Sequence, residues 1–174
     1  MNLREATAAK HKEAESMPFN QRLMGGTLTT EEYINYLRSQ LDIFQTIESA
    51  FGLPHSDMFR TENVLDDLTE LGVMDIAARG EATGRYCAYL RTLDYETVLP
   101  HVYLNYMAVM MGGQLMRDKV PTSGRMYDFG SKENMQKLVS VIRGLKTDES
   151  WIDEVNRGYD FIIDILKELD NIKQ

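Results

Sequence analysis

The chain has 174 residues, 43% of them hydrophobic and 26% charged. That suits one folded domain spanning residues 1–174 around one sizeable core, and it excludes a disordered chain. A formal net charge of −8 argues against nucleic-acid binding, because no basic excess is available to neutralise phosphates. The single cysteine, Cys87, excludes an intrachain disulfide and points to a reducing compartment. The amino terminus is polar, and no apolar run approaches the roughly 18 residues of a membrane span. The expectation is a cytoplasmic protein with no membrane partner.

In chain order, residues 2–16 are rich in Ala, Glu and Lys and predict a first helix. Pro18 interrupts it, and Gly25 and Gly26 predict a turn. Thr29 and Glu32 have capping-box spacing at the start of a helix reaching Phe51. Its apolar positions Tyr33, Tyr36, Leu37, Leu41, Phe44 and Ile47 recur every three or four residues. Further helices are expected over 63–71 and 75–93. A long helix over 96–119 follows, with Pro100 tolerable in its first turn. After the loop-like "VPTSGRMYDFGS", Ser131 is placed to cap a helix reaching Leu145. The amphipathic "TDESWIDEVNRGYDFIIDILKELD" is the last. No strand alternation or internal repeat is visible, so the fold class is all-α, a single-domain helical bundle.

Three histidines are available. On the first helix Arg4, Thr7, His11, Ala14 and Glu15 are spaced to share a face. Glu15, one turn after His11, is placed to hold one ring nitrogen and aim the other outward. An ordinary surface pair has the same spacing. His55 falls in a loop, and His101 is expected to hydrogen-bond a neighbour. No histidine pair has zinc spacing, and no carboxylate–histidine cluster suggests a di-iron site.

The stretch "MAVMMGGQLM", residues 107–116, sets Gly112 and Gly113 inside a helix at a cost of roughly 2 kcal/mol in propensity. Ala108 and Val109 lie one turn earlier. Such a bare face admits either a closely packed helix or a flat ligand pressed against the backbone, and the helix can kink there. Met107, Met110, Met111, Met116, Tyr159 and Phe161 read as core at helical spacing.

Two segments carry a family resemblance. "LREATAAKHKEAE", residues 3–15, resembles the proximal helix of the haem oxygenases, and "HVYLNYMAVMMGGQLM", residues 101–116, resembles their distal helix. "RGYDFIIDILKEL" is similar to their last helix. The resemblance implies a bundle in which haem, both substrate and cofactor, is sandwiched between these helices. It implies His11 as axial iron ligand with Glu15 as its hydrogen-bonding partner, and Gly112 and Gly113 as the distal glycines over the macrocycle. It further implies Arg4, Tyr103 and Arg143 near the propionates. A companion lysine would fall on Val139, with Lys137 as the substitute. The implied reaction is oxidative cleavage of haem to biliverdin, carbon monoxide and ferrous iron with dioxygen. The sequence departs from the family at Val109, where many members carry a polar residue that orders distal water. Asn105, one turn earlier, is one candidate replacement, and a residue from another helix is another.

No flavin or nicotinamide fingerprint is present, so electrons are expected from an external donor, ferredoxin by analogy. Docking is expected on a basic patch of Lys10, Lys12, Arg117, Lys119 and Lys146, with the protein acting as a monomer. Three alternatives stand beside this reading. They are a haem carrier without turnover, a thiaminase-II-like enzyme using Cys87, and a helical interaction module.

Overall fold

The computed structural model describes residues 2–172 and is all-helical, with no strand among the described residues. In chain order the helices are α1 (Leu3–Ala6), α2 (Ala8–Ser16), α3 (Pro18–Gly25), α4 (Thr30–Ala50), α5 (Thr61–Glu70), α6 (Ala82–Leu90), α7 (Tyr95–Met107), α8 (Gly113–Met116), α9 (Lys132–Arg143) and α10 (Glu149–Asn171). A π-helical turn, Ala108–Gly112, joins α7 to α8. The long α10 packs against α2, α3, α4, α6 and α7, and α4 packs against α5 and α6. Buried side chains from Phe19 to Leu169 form one hydrophobic cluster.

Local chemistry explains several helix starts. Thr29 and Glu32 complete the expected capping box on α4, and Ser131 accepts from the Asn134 N–H to cap α9. Asp94 and Thr97 form a further box at α7. Each such cap satisfies amides that would otherwise lack partners and contributes about 1 kcal/mol.

Several expected boundaries shift. The first helix divides at Thr7, whose hydroxyl donates to the Leu3 carbonyl at 2.8 Å and whose φ of −109° leaves the helical range. Residues 75–81 are not helical. Gly72 and Gly80 adopt left-handed φ of 71° and 82°, which favours glycine. The Arg38 Nε donates to the Asp75 carbonyl at 2.8 Å, holding the segment across α4. Pro100 lies in the second turn of α7, not the first, because the helix begins at Tyr95. Its missing N–H deprives only the carbonyl of Glu96, an exposed residue within reach of water.

The long loop after α8 is pinned from below. The fully buried Asp67 accepts from the Arg125 and Met126 amides at 3.0 and 2.9 Å. Arg60 donates to the Met126 and Asp128 carbonyls and lies 3.8 Å from the Phe129 ring centroid. Burial pulls its guanidinium down to about 10. These contacts hold the loop against α5, and Gln114 Nε2 of α8 donates to the Tyr127 carbonyl at 3.1 Å.

Candidate functional site

α1 brings Arg4 to the rim of a cavity of about 310 Å3, lined by Asn2, Leu3, Arg4, Tyr103, Ile142, Arg143 and Thr147. Three of the residues singled out from sequence, Arg4, Tyr103 and Arg143, therefore converge from α1, α7 and α9. Two arginines and a tyrosine lining one space suit an anionic carboxylate, which arginine binds through paired N–H donors. Lys137 does not join them. It is exposed on α9 outside this lining, and Val139 is buried.

Seven residues after Arg4, His11 stands on α2 with its side chain 56% exposed, and its Nε2 lies 3.3 Å from Glu15 Oε1. The expected pairing is thus present. It leaves the other ring nitrogen able to act as a lone-pair donor. The imidazole packs against Tyr159 of α10, with ring centroids 5.9 Å apart. Burial, with the nearby Tyr103 and Glu15, pushes the Tyr159 phenol up to about 12. Tyr159 thus belongs to the surroundings of His11 as well as to the packing expected for it.

The two glycines have different neighbours. A Cβ built on Gly113 would overlap the Tyr127 ring, whereas one on Gly112 meets nothing within 4 Å. Gly113 therefore permits close packing of the loop, and Gly112 opens on free space. The backbone at this place makes a π turn, Ala108–Gly112, a rare geometry that accumulates at functional sites. Ala108 is exposed, Met111 is 51% exposed and Leu115 76%, while Val109 and Met110 are buried. An apolar, bare strip consisting of Ala108, Met111, Gly112 and Leu115 thus runs along the outside. Val109 packs inward.

A second polar constellation escaped the sequence reading. His101 is fully buried. Its Nδ1 lies 2.8 Å from Tyr86 Oη, and its Nε2 lies 2.8 Å from Glu154 Oε2. Asn105 Nδ2 donates to Tyr86 Oη at 3.0 Å and to the His101 carbonyl at 2.8 Å. Tyr89 donates to Glu154, and Arg157 donates to Tyr89. Burial pulls His101 below its ordinary value more strongly than Glu154 pushes it up. The contact is therefore a hydrogen bond to a neutral ring at pH 7. Burial alone would raise Glu154, yet the His101 and Tyr89 hydrogen bonds take it below its ordinary value. The expectation that His101 bonds a neighbour holds. Its partners lie 15 and 53 residues away, beyond any spacing rule.

Other expectations find modest surroundings. Lys10 pairs with Asp160 at 2.7 Å and Arg117 with Asp128 at 3.3 Å, so part of the expected basic patch is neutralised. Lys119 Nζ donates to the Met24 carbonyl, while Lys12 and Lys146 are exposed. Cys87 is buried, and burial pushes its thiol up, which suits packing better than nucleophilic attack.

A family model described as heme oxygenase matches residues 1–138. Among curated proteins, heme oxygenase 2 of Oryctolagus cuniculus is 22% identical over 202 residues, covering 97% of this chain and 65% of that protein. Heme oxygenase 2 of Rattus norvegicus is also 22% identical, covering 97% and 64%. The chain thus spans just under two thirds of the length of these relatives. Among solved structures, heme oxygenase-2 from Synechocystis, in complex with heme and NO, superposes with a TM-score of 0.82 at 19% identity, covering 97% of this chain and 84% of that one. Heme oxygenase-1 from the same cyanobacterium, in complex with heme, gives 0.79 at 18%, covering 97% and 90%. Heme oxygenase from Leptospira interrogans gives 0.78 at 20%, covering 95% and 97%.

Proposed function

The chain belongs to the haem oxygenase family, and on that premise we propose that it binds haem and opens it to biliverdin, carbon monoxide and ferrous iron. Bound haem supplies the redox chemistry of its own cleavage, with dioxygen and electrons from an external donor. The observation that carries the reading is the convergence of Arg4, Tyr103 and Arg143 on one cavity. Arg4 lies on the segment leading to an exposed His11, and Tyr103 lies on the helix leading to a bare Gly112.

Each residue has a task in this reading. Arg4 and Arg143 bind the two propionates and Tyr103 donates its hydroxyl beside them, while Lys137, outside the cavity lining, adds only more distant positive charge. His11 offers an imidazole nitrogen to the iron, and Glu15 holds the other nitrogen so that the ring stays oriented. Gly112 and Ala108 let the backbone approach the macrocycle closely. Gly113 seats the π turn on Tyr127, which keeps that approach rigid. Val109, packed inward, supports the helix from behind.

Electrons come from a ferredoxin docking on Lys12, Lys119 and Lys146, with Lys10 and Arg117 contributing less because carboxylates already hold them. The protein works as a monomer in the cytoplasm. No helix among the described residues is long and apolar enough to cross a membrane.

An optical titration with haemin, followed by ferredoxin, its reductase and NADPH under air, tests the proposal. One-to-one uptake, then loss of the Soret band with a broad red absorbance, is the expected result. Uptake without bleaching identifies a carrier, and no uptake sinks the haem reading.

A further inference from the structure

A second cavity, of about 280 Å3, lies between α4 and α6 and shares no lining residue with the cavity of Arg4, Tyr103 and Arg143. From α4 it is lined by Asp42, Gln45, Thr46 and Ser49, the i, i+3, i+4 and i+7 positions of one helix face. From α6 and its C-cap it is lined by Gly84, Cys87 and Arg91. The two helices pack on one another, and packed helices ordinarily meet through apolar side chains. Here the seam instead carries an acid, an arginine, two hydroxyls and an amide. Cys87 is buried beneath them, its thiol bonded to the buried Thr46.

The two charged groups share the cavity without pairing. Arg91 Nη2 donates to Thr46 Oγ1 at 3.3 Å, a long bond to a neutral acceptor. None of the ion pairs among the described residues includes Arg91 or Asp42. Burial raises the Asp42 carboxyl above its ordinary value, although the Arg91 charge and the Ala78 amide both pull it down. The carboxylate thus keeps acceptor sites to spare and the guanidinium keeps donors to spare.

Gly84 has neither of the usual reasons for a glycine. Its φ is not positive, and a Cβ built on it meets nothing within 4 Å. Inside α6 it only weakens the helix. Its effect is to leave the exposed α6 side of the cavity open. We infer that this cavity binds a small zwitterion of the amino-acid type, its ammonium on Asp42 and its carboxylate on Arg91. Thr46, Ser49 and Gln45 supply the remaining hydrogen bonds, and Gly84 leaves the ligand room. A zwitterion neutralises both poles at once, whereas a ligand of single charge leaves one of them unpaired. The site is independent of the haem reading, because it shares no residue with that cavity and needs no iron.

Nitrogen-15 NMR of the haem-free protein, titrated with L-serine and with β-alanine, tests the site. Saturable shifts at the amides of Asp42, Thr46, Gly84, Cys87 and Arg91 are expected, with a dissociation constant of about 1 mM or tighter. Propionate and ethylamine each carry one of the two charges and should bind about tenfold more weakly or worse. Asp42→Asn and Arg91→Gln should each weaken serine binding about tenfold. Gly84→Leu should abolish it while leaving the urea midpoint unchanged or higher, because the new side chain enters open space. That variant carries the test if a charge variant does not fold. Its haemin uptake should match that of the unmodified protein, so failure of this site leaves the haem reading standing. Absence of saturable shifts with both amino acids overturns the site. Equal binding of propionate overturns the zwitterion, and full serine affinity in Gly84→Leu overturns the cavity as its place.

Discussion

Gly113 and Tyr127 touch so closely that no side chain fits between them, although Gly112 beside it opens on free space. Adjacent glycines thus answer different demands. Gly113→Ala should destabilise the protein by about 2 kcal/mol through overpacking. Gly112→Ala should fold with equal or slightly greater stability, because alanine is the better helix former by about 1 kcal/mol. Urea unfolding of both variants checks this. Gly112→Leu should fold yet lose haemin affinity by steric overlap, and retained affinity would remove Gly112 from the binding face.

His11 is half-exposed and packs on one aromatic ring, so His11→Ala should change stability by less than about 1 kcal/mol. The haemin complex should lose its imidazole-type spectrum and its turnover. An unaltered spectrum would assign the iron to another side chain.

The carboxylate cavity predicts selectivity. Arg143→Ala should weaken haemin binding about tenfold, as expected for losing a charge-assisted contact. Binding of the haem dimethyl ester should barely change, because it carries no negative charge to lose. Equal losses for both ligands would show that Arg143 supports the fold instead.

The buried dyad predicts the response to acid. His101 titrates below its ordinary 6.5 in the folded state, so as pH falls through 6.5 the unfolded chain gains a proton that the folded one refuses. Stability falls with pH over that range. Glu154 titrates below its ordinary 4.5; its contribution is present above 4.5 and is lost as pH falls through the folded value. Both act in the same direction. Glu154→Gln should therefore flatten the dependence of the urea midpoint on pH at the acid end. An equally steep profile in the variant would assign the acid sensitivity to other groups.

Much of the architecture is legible in short-range pattern. The Thr29–Glu32 box, the Ser131 cap and the apolar period of α4 involve residues within one or two turns, where geometry follows from spacing alone. The candidates Arg4, His11, Tyr103, Gly112 and Arg143 were likewise visible, through the resemblance of two segments. Spacing already paired His11 with Glu15, because i,i+4 neighbours meet on any helix.

Tertiary packing decided the rest. Residues 75–81 carry enough helix formers to suggest a helix, but left-handed glycines at 72 and 80 and the Arg38 clamp hold them otherwise. The π turn seats Gly113 against Tyr127, a contact that propensity does not weigh, whereas the division at Thr7 goes with a local bond to Leu3. The cavity joins residues more than a hundred positions apart, and the Tyr86–His101–Glu154 chain spans three helices. Local sequence sets which helices form and where they are capped. Distances across the bundle exist only once burial has brought the helices together, because no periodicity within one helix encodes its neighbour.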